Sequence, residues 1–278
     1  MAAFRIYGID FTSAPRRAKP ITIASARLAG GRLRVDGILR APAFAEFEAF
    51  LRTPGPWVAG FDFPFGLPRE LLRGLGWPCE PAGGESAWAR QVRHLRALPR
   101  AEMVAAFRAW CDARPAGAKF AHRPTDLRAG SSPSMKWVNP PVSFMLQAGA
   151  PRLLDAGVDL PGLHDGDPSR VALEAYPGVL ARAIVGRVSY KSDARAGATP
   201  DRLAARRRIV AGIERGFPLE VPVDLPSPWR DACVHDPSGD HLDAVLCAVQ
   251  AAWARQRKRQ RYGMPDDVDP VEGWIVAA

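Results

Sequence analysis

The chain has 278 residues, 47% of them hydrophobic and 24% charged, which is enough apolar material for a sizeable core and excludes a disordered or fibrous class. Lysine and arginine outnumber the acids by 38 to 29, and the net charge of +9 favours polyanionic partners without saying where the charge lies. Cys79, Cys111, Cys233 and Cys247 have no Cys-x-x-Cys spacing, which argues against a zinc knuckle or redox dithiol, and with no secretory leader pattern and no long uncharged apolar run the expected location is the cytoplasm.

The first apolar run, 4–9, suits a central strand and leads straight into Asp10. ITIASARL (21–28) and RLRVDGILR (32–40) read as two more strands joined at Gly30-Gly31, a two-residue hairpin signal, so the chain opens with a three-stranded meander. AFAEFEAFLR (43–52) has Phe44, Phe47, Phe50 and Leu51 at helical spacing. WVAGFDF (57–63) then reads as a buried strand, with the helix as the crossover that makes it parallel to an earlier one, and it too ends at an aspartate, Asp62.

Between 64 and 167 the pattern turns irregular. Helical stretches at 86–97 and 100–113 precede the polar KFAHRPTDLRAGSSPSMKWVNPPVSF, and the whole is too long for a loop. One domain over 1–278 with a mostly helical insertion at 64–167 is predicted. RVALEAYP (170–177) restores a strand, with Glu174 near its end and Pro177 suited to start a helix. Helices at 201–215 and 238–255 follow; the second has Asp240 and Asp243 in its first turn and exits through the basic RQRKRQR.

Acids therefore stand at four places: Asp10, Asp62, Glu174 and the pair Asp240/Asp243. Parallel strands put their C-terminal ends at one edge, where open sheets hold ligands. Carboxylates gathered there repel one another unless they are protonated or share a cation. Mg2+ or Mn2+ suits such oxygen ligands, and a pair of these ions can activate water and stabilise the leaving oxygen of a phosphodiester.

Each acid also has a structural alternative: a turn with Thr12 and Ser13 for Asp10, an Asx-turn before Pro64 for Asp62, a capping box for Asp240 and Asp243, and an arginine of the 201–215 helix for Glu174. Capping does not explain why two apolar strands and one apolar helix each meet an acid. The insertion adds Lys119, Arg123 and Lys136, and SYKSD adds Tyr190 and Lys191, groups able to contact phosphates or stack on bases. No His-Glu-x-x-His, Walker A, Gly-x-Gly-x-x-Gly or Gly-x-Ser-x-Gly pattern occurs, which disfavours zincins, dinucleotide folds and hydrolase elbows.

The order of elements, with Asp10 on the first strand, Asp62 on the fourth and DHLDA opening the last helix, resembles the ribonuclease H superfamily, and the Asp-x-x-Asp-Ala step is similar to that of Holliday-junction resolvases. GIDFTSAP, GFDFPFGLP, SPSMKWVNPP, LEAYPG, SYKSD and HLDAVLCA, spread over roughly residues 5–277, together resemble a narrower group, the domain of unknown function 429 family (DUF429), described as predicted nucleases of that fold.

The resemblance implies an α/β fold with a ribonuclease H-like, mixed five-stranded sheet flanked by helices. It further implies that Asp10, Asp62 and Asp243 are metal ligands, with Asp240 or Glu174 completing the shell, for Mg2+- or Mn2+-dependent hydrolysis of DNA or RNA. Asp62 stands where the resolvases usually have a glutamate, and the insertion has no counterpart in them. Two other readings compete: an actin-like ATP-binding or phosphotransfer protein, which needs a second glycine-rich phosphate loop, and a non-catalytic nucleic-acid-binding module.

Overall fold

A computed structural model describes residues 3–192, 194 and 197–278; Asp193, the last residue of SYKSD, lies outside the described residues. Strands β1 (Phe4–Asp10), β2 (Ile21–Ala29) and β3 (Arg32–Ala41) form the expected antiparallel meander, turning at Gly30 and Gly31. Both glycines have positive φ, 55° and 78°, the conformation a tight hairpin turn demands. Helix α1 (Phe44–Leu51) buries Phe47 and Leu51 and crosses to β4 (Trp57–Asp62), which lies parallel to β1.

The insertion contains α2 (Arg69–Gly74), α3 (Ala87–Ala97), α4 (Arg100–Asp112), α5 (Pro124–Ala129), α6 (Val142–Ala156) and β5 (Val158–Asp159). Strand β6 (Asp167–Glu174) then pairs parallel with β4. The chain continues through α7 (Pro177–Val185), α8 (Pro200–Glu214), β7 (Val223–Asp224), α9 (Ser227–His235) and α10 (Asp240–Gln256).

The result is a mixed sheet of seven strands in the order β5-β6-β4-β1-β2-β3-β7, where five were expected. The additions, β5 and β7, are two-residue pairings at the outer edges, too short to leave a period in the sequence. The sequence pattern also marks neither α6 nor α9 as a helix, because α6 follows Pro140-Pro141 and contains Pro151, and α9 begins Ser-Pro, all of which read as breakers.

Strand alternation sends odd and even residues of β1 and β4 to opposite faces. Ile9, Phe11 and Phe61 face a core shared with Trp88, Val92, Phe107 and Leu153 of the insertion. Ile6 and Val58 face the other layer, with Leu180, Ile209, Leu242 and Val245 from α7, α8 and α10. The insertion and α1 thus share one face of the sheet. The four cysteines are free and buried, and among the described residues no helix is long and apolar enough to cross a membrane.

Candidate metal centre

The site is built on two glycines. Gly8 and Gly60 are partners in the β1/β4 register, and each precedes by two residues, hence on the same face, the aspartate that ends its strand. A Cβ on Gly8 would lie 2.0 Å from the carbonyl oxygen of Ala244 and 2.2 Å from the amide nitrogen of Ala248; one on Gly60 would lie 2.5 Å from the carbonyl oxygen of Cys247. The missing side chains let the backbone of α10 rest directly on the sheet. That close approach brings Asp243, in the first turn of α10, down beside Asp10 and Asp62.

Asp10 and Asp62 are register partners, and one carboxylate oxygen from each of Asp10, Asp62 and Asp243 falls within 4.8 Å of the others. Asp243 is fully buried and holds two donors: the Tyr190 hydroxyl at 2.6 Å and the Lys191 ammonium. Asp10 and Asp62 receive no hydrogen bond among the described residues. Burial, then the Asp240 and Asp243 charges, raise the Asp10 carboxyl well above the usual carboxylate range, against the pull of Lys191. Burial pushes Asp62 up to about 7; Lys191 opposes the rise, and Asp243 and Glu174 add to it. Among the described residues, two carboxylates without donors beside a third form a hard-oxygen set for which the single Lys191 ammonium is too little positive charge, and a divalent cation fits it.

The capping alternative does not hold for the helix acids. Gly239, with φ of 80°, is the N-cap of α10, and Asp236 does the capping work by accepting from the His241 amide at 3.2 Å and from Ser238 at 2.6 Å. Asp240 is thereby left to face the cleft, where Lys19 pairs with it at 2.8 Å.

Glu174 is drawn into a different network from the triad. Arg123, 1% exposed, grips it with two bonds of 2.7 and 2.8 Å, binds Asp126 as well, and donates to the carbonyl of Glu272 at 2.8 Å. The partner of Glu174 is therefore this arginine of the insertion, not one from α8, and Arg123 is an internal counter-ion instead of a free substrate contact. Glu174→Gln is expected to leave manganese affinity within about twofold while costing about 1.5–3 kcal/mol of stability, the range for a charged hydrogen bond, because Arg123 keeps Asp126. Parallel metal calorimetry and urea unfolding check this; an affinity loss as large as that of a triad variant would return Glu174 to the ligand shell.

Asp10 and Asp62 lie on the floor of a cleft of about 750 Å³, with Asp243 buried beneath it, bordered by the insertion on one side and by α7 and the segment after it on the other. Tyr190 and Lys191 line it. Lys119 is exposed beyond α4 and Lys136 is half-buried behind the insertion loop; neither lines the cleft.

Fold and site together define a mixed α/β protein with a carboxylate triad at the C-terminal edge of a parallel strand pair. The chain belongs to the DUF429 family, described as a protein of unknown function, whose family model matches residues 8–269. No curated protein and no solved structure gives a significant match.

Proposed function

We propose that the protein is a divalent-metal-dependent phosphodiesterase of ribonuclease H-like architecture that hydrolyses nucleic acid. The observation that carries this reading is that Asp10 and Asp62, adjacent and largely buried, have no side-chain hydrogen-bond donor among the described residues while sharing a 4.8 Å cluster with Asp243. The order of the five longer strands, β3-β2-β1-β4-β6, with the meander antiparallel and the remainder parallel to β1, supports the architecture.

Asp10, Asp62 and Asp243 would hold Mg2+ or Mn2+. When bound, such an ion supplies an activated water and neutralises charge on the leaving oxygen. Tyr190 and Lys191 fix the two oxygens of Asp243, so that its orientation is set before any ligand arrives. Lys191, whose side chain is 44% exposed, also offers positive charge to a phosphate entering the cleft. A purely nucleic-acid-binding role is disfavoured, because uncompensated carboxylates on the cleft floor repel phosphate.

Manganese titration by calorimetry tests the reading without choosing a substrate. The wild-type protein is expected to bind. Asp10→Asn and Asp62→Asn are each expected to weaken binding by about 100-fold or more, beyond the 10–100-fold typical of groups that only support a ligand. Cooperative thermal unfolding of both variants confirms that the fold persists. Unchanged affinity in both, or metal-dependent cleavage of nucleic acid by Asp10→Asn, defeats the proposal.

A further inference from the structure

Resting on the phosphodiesterase reading, we infer that the substrate is single-stranded nucleic acid, taken in as one or two unpaired nucleotides, and not a duplex or a four-way junction. The triad is recessed: Asp243 is 0% and Asp10 8% exposed, beneath a cleft of about 750 Å³. That volume lies inside the roughly 300–1,000 Å³ range of pockets that engulf small ligands.

Both walls stand above the carboxylates. Pro140, Pro141 and Met145 of the insertion form one, and the exposed segment from Arg187 to Ser189 belongs to the other. A base-paired strand holds its phosphates on the outside of a helix with grooves about 12 and 6 Å wide, so its partner strand meets the walls before its phosphate reaches the floor.

The cleft wall also has a platform suited to an unpaired base. Tyr176 lines it at the start of α7, with the Arg182 guanidinium carbon 5.2 Å from its ring centre and Arg182 donating to its hydroxyl at 3.3 Å. At its hydroxyl end the ring lies so close to Gly178 that a Cβ there would come within 2.5 Å of it. Arg182 is itself anchored on the carbonyl of Ala129, so the ring is fixed before a ligand arrives. A fixed aromatic flanked by arginine reads any base by its π face, and Arg187 and Lys191 on the same wall supply phosphate contacts.

The test uses the full-length protein and labelled oligonucleotides of one mixed sequence, presented as a single strand, as a blunt duplex and within a four-way junction. Binding is read by anisotropy in Ca2+ and cleavage in Mn2+. The single strand is expected to bind at least tenfold more tightly than the other two and to be cleaved fastest. Tyr176→Ala is expected to weaken single-strand binding about tenfold, in keeping with the loss of one stacked base, while manganese affinity stays unchanged and Tyr176→Phe restores binding.

Equal or tighter binding of duplex or junction, or an indifferent Tyr176→Ala, overturns the single-strand assignment and leaves the phosphodiesterase reading standing. Absence of metal-dependent cleavage of all three, despite bound manganese, overturns the phosphodiesterase reading and this inference with it.

Discussion

Gly8→Val is expected to cost more stability than any single exchange of a site carboxylate and to remove manganese binding with it. The obstacles to a Cβ at Gly8 are the Ala244 carbonyl oxygen at 2.0 Å, the Ala248 nitrogen at 2.2 Å and the Ala248 Cα at 2.8 Å. All are backbone atoms of a helix, so no rotamer change relieves them. Overpacking against movable side chains costs about 1–3 kcal/mol. Here α10, with thirteen buried residues between Asp240 and Ala254, must lift away from the sheet, and a loss beyond about 4 kcal/mol is expected. Urea unfolding measures the loss.

Gly60→Ala grades the same effect. Only the Cys247 oxygen, at 2.5 Å, lies under 3.0 Å from its Cβ, so the variant is expected to fold and to bind manganese more weakly, because Asp243 sits one turn before Cys247 on the displaced helix. A Gly8→Val protein with the unfolding midpoint and metal affinity of the wild type would disprove this account of how the triad is assembled.

The two glycines also mark what the sequence disclosed and what passed unread. Asp10, Asp62 and Asp243 were legible because each interrupts an apolar element at its end, where composition alone predicts another apolar residue. The repeated Gly-x-Asp of GID and GFD went unread, although a period of two places glycine and aspartate on one face and so predicts a close-packed partner above them. Glu174 carries the same outward signature as the triad, an acid at a strand end. What separates it is Arg123, 51 residues away in the chain and brought to it only by the packing of the insertion. Nothing local distinguishes a carboxylate left without a donor from one whose counter-ion arrives through tertiary structure. The capping alternative for Asp240 and Asp243 fails for a related reason: Asp236 lies four residues before the helix and reaches it through the turn at Gly239, which a purely local reading of the helix start does not show.

Metal affinity and stability are expected to run in opposite directions with pH. With its carboxyl pushed up to about 7 in the folded state, Asp62 keeps its proton in mildly acid solution, whereas the unfolded chain gives it up near the ordinary aspartate value. Between those two values the folded state binds more protons than the unfolded one. The stabilising contribution of this group is therefore complete at low pH, falls as pH rises and is gone once pH passes about 7. Asp10, raised in the same direction, adds to the trend.

A cation must displace those protons to reach the oxygens, so manganese affinity is expected to weaken roughly tenfold per pH unit below about 7 for each proton displaced, with proton release visible as a dependence of calorimetric heat on buffer ionisation. Where metal binds well it supplies what the protons no longer do: at 100 times its dissociation constant it adds about 2.7 kcal/mol of stability. Thermal unfolding at pH 5.5 and pH 8, each with and without manganese, separates the terms. A large manganese-induced rise in Tm at pH 8 and a small one at pH 5.5 is the expected pattern. A rise of equal size at both would mean that the metal binds away from Asp10 and Asp62, because only ligands that must lose a proton make the stabilisation depend on pH.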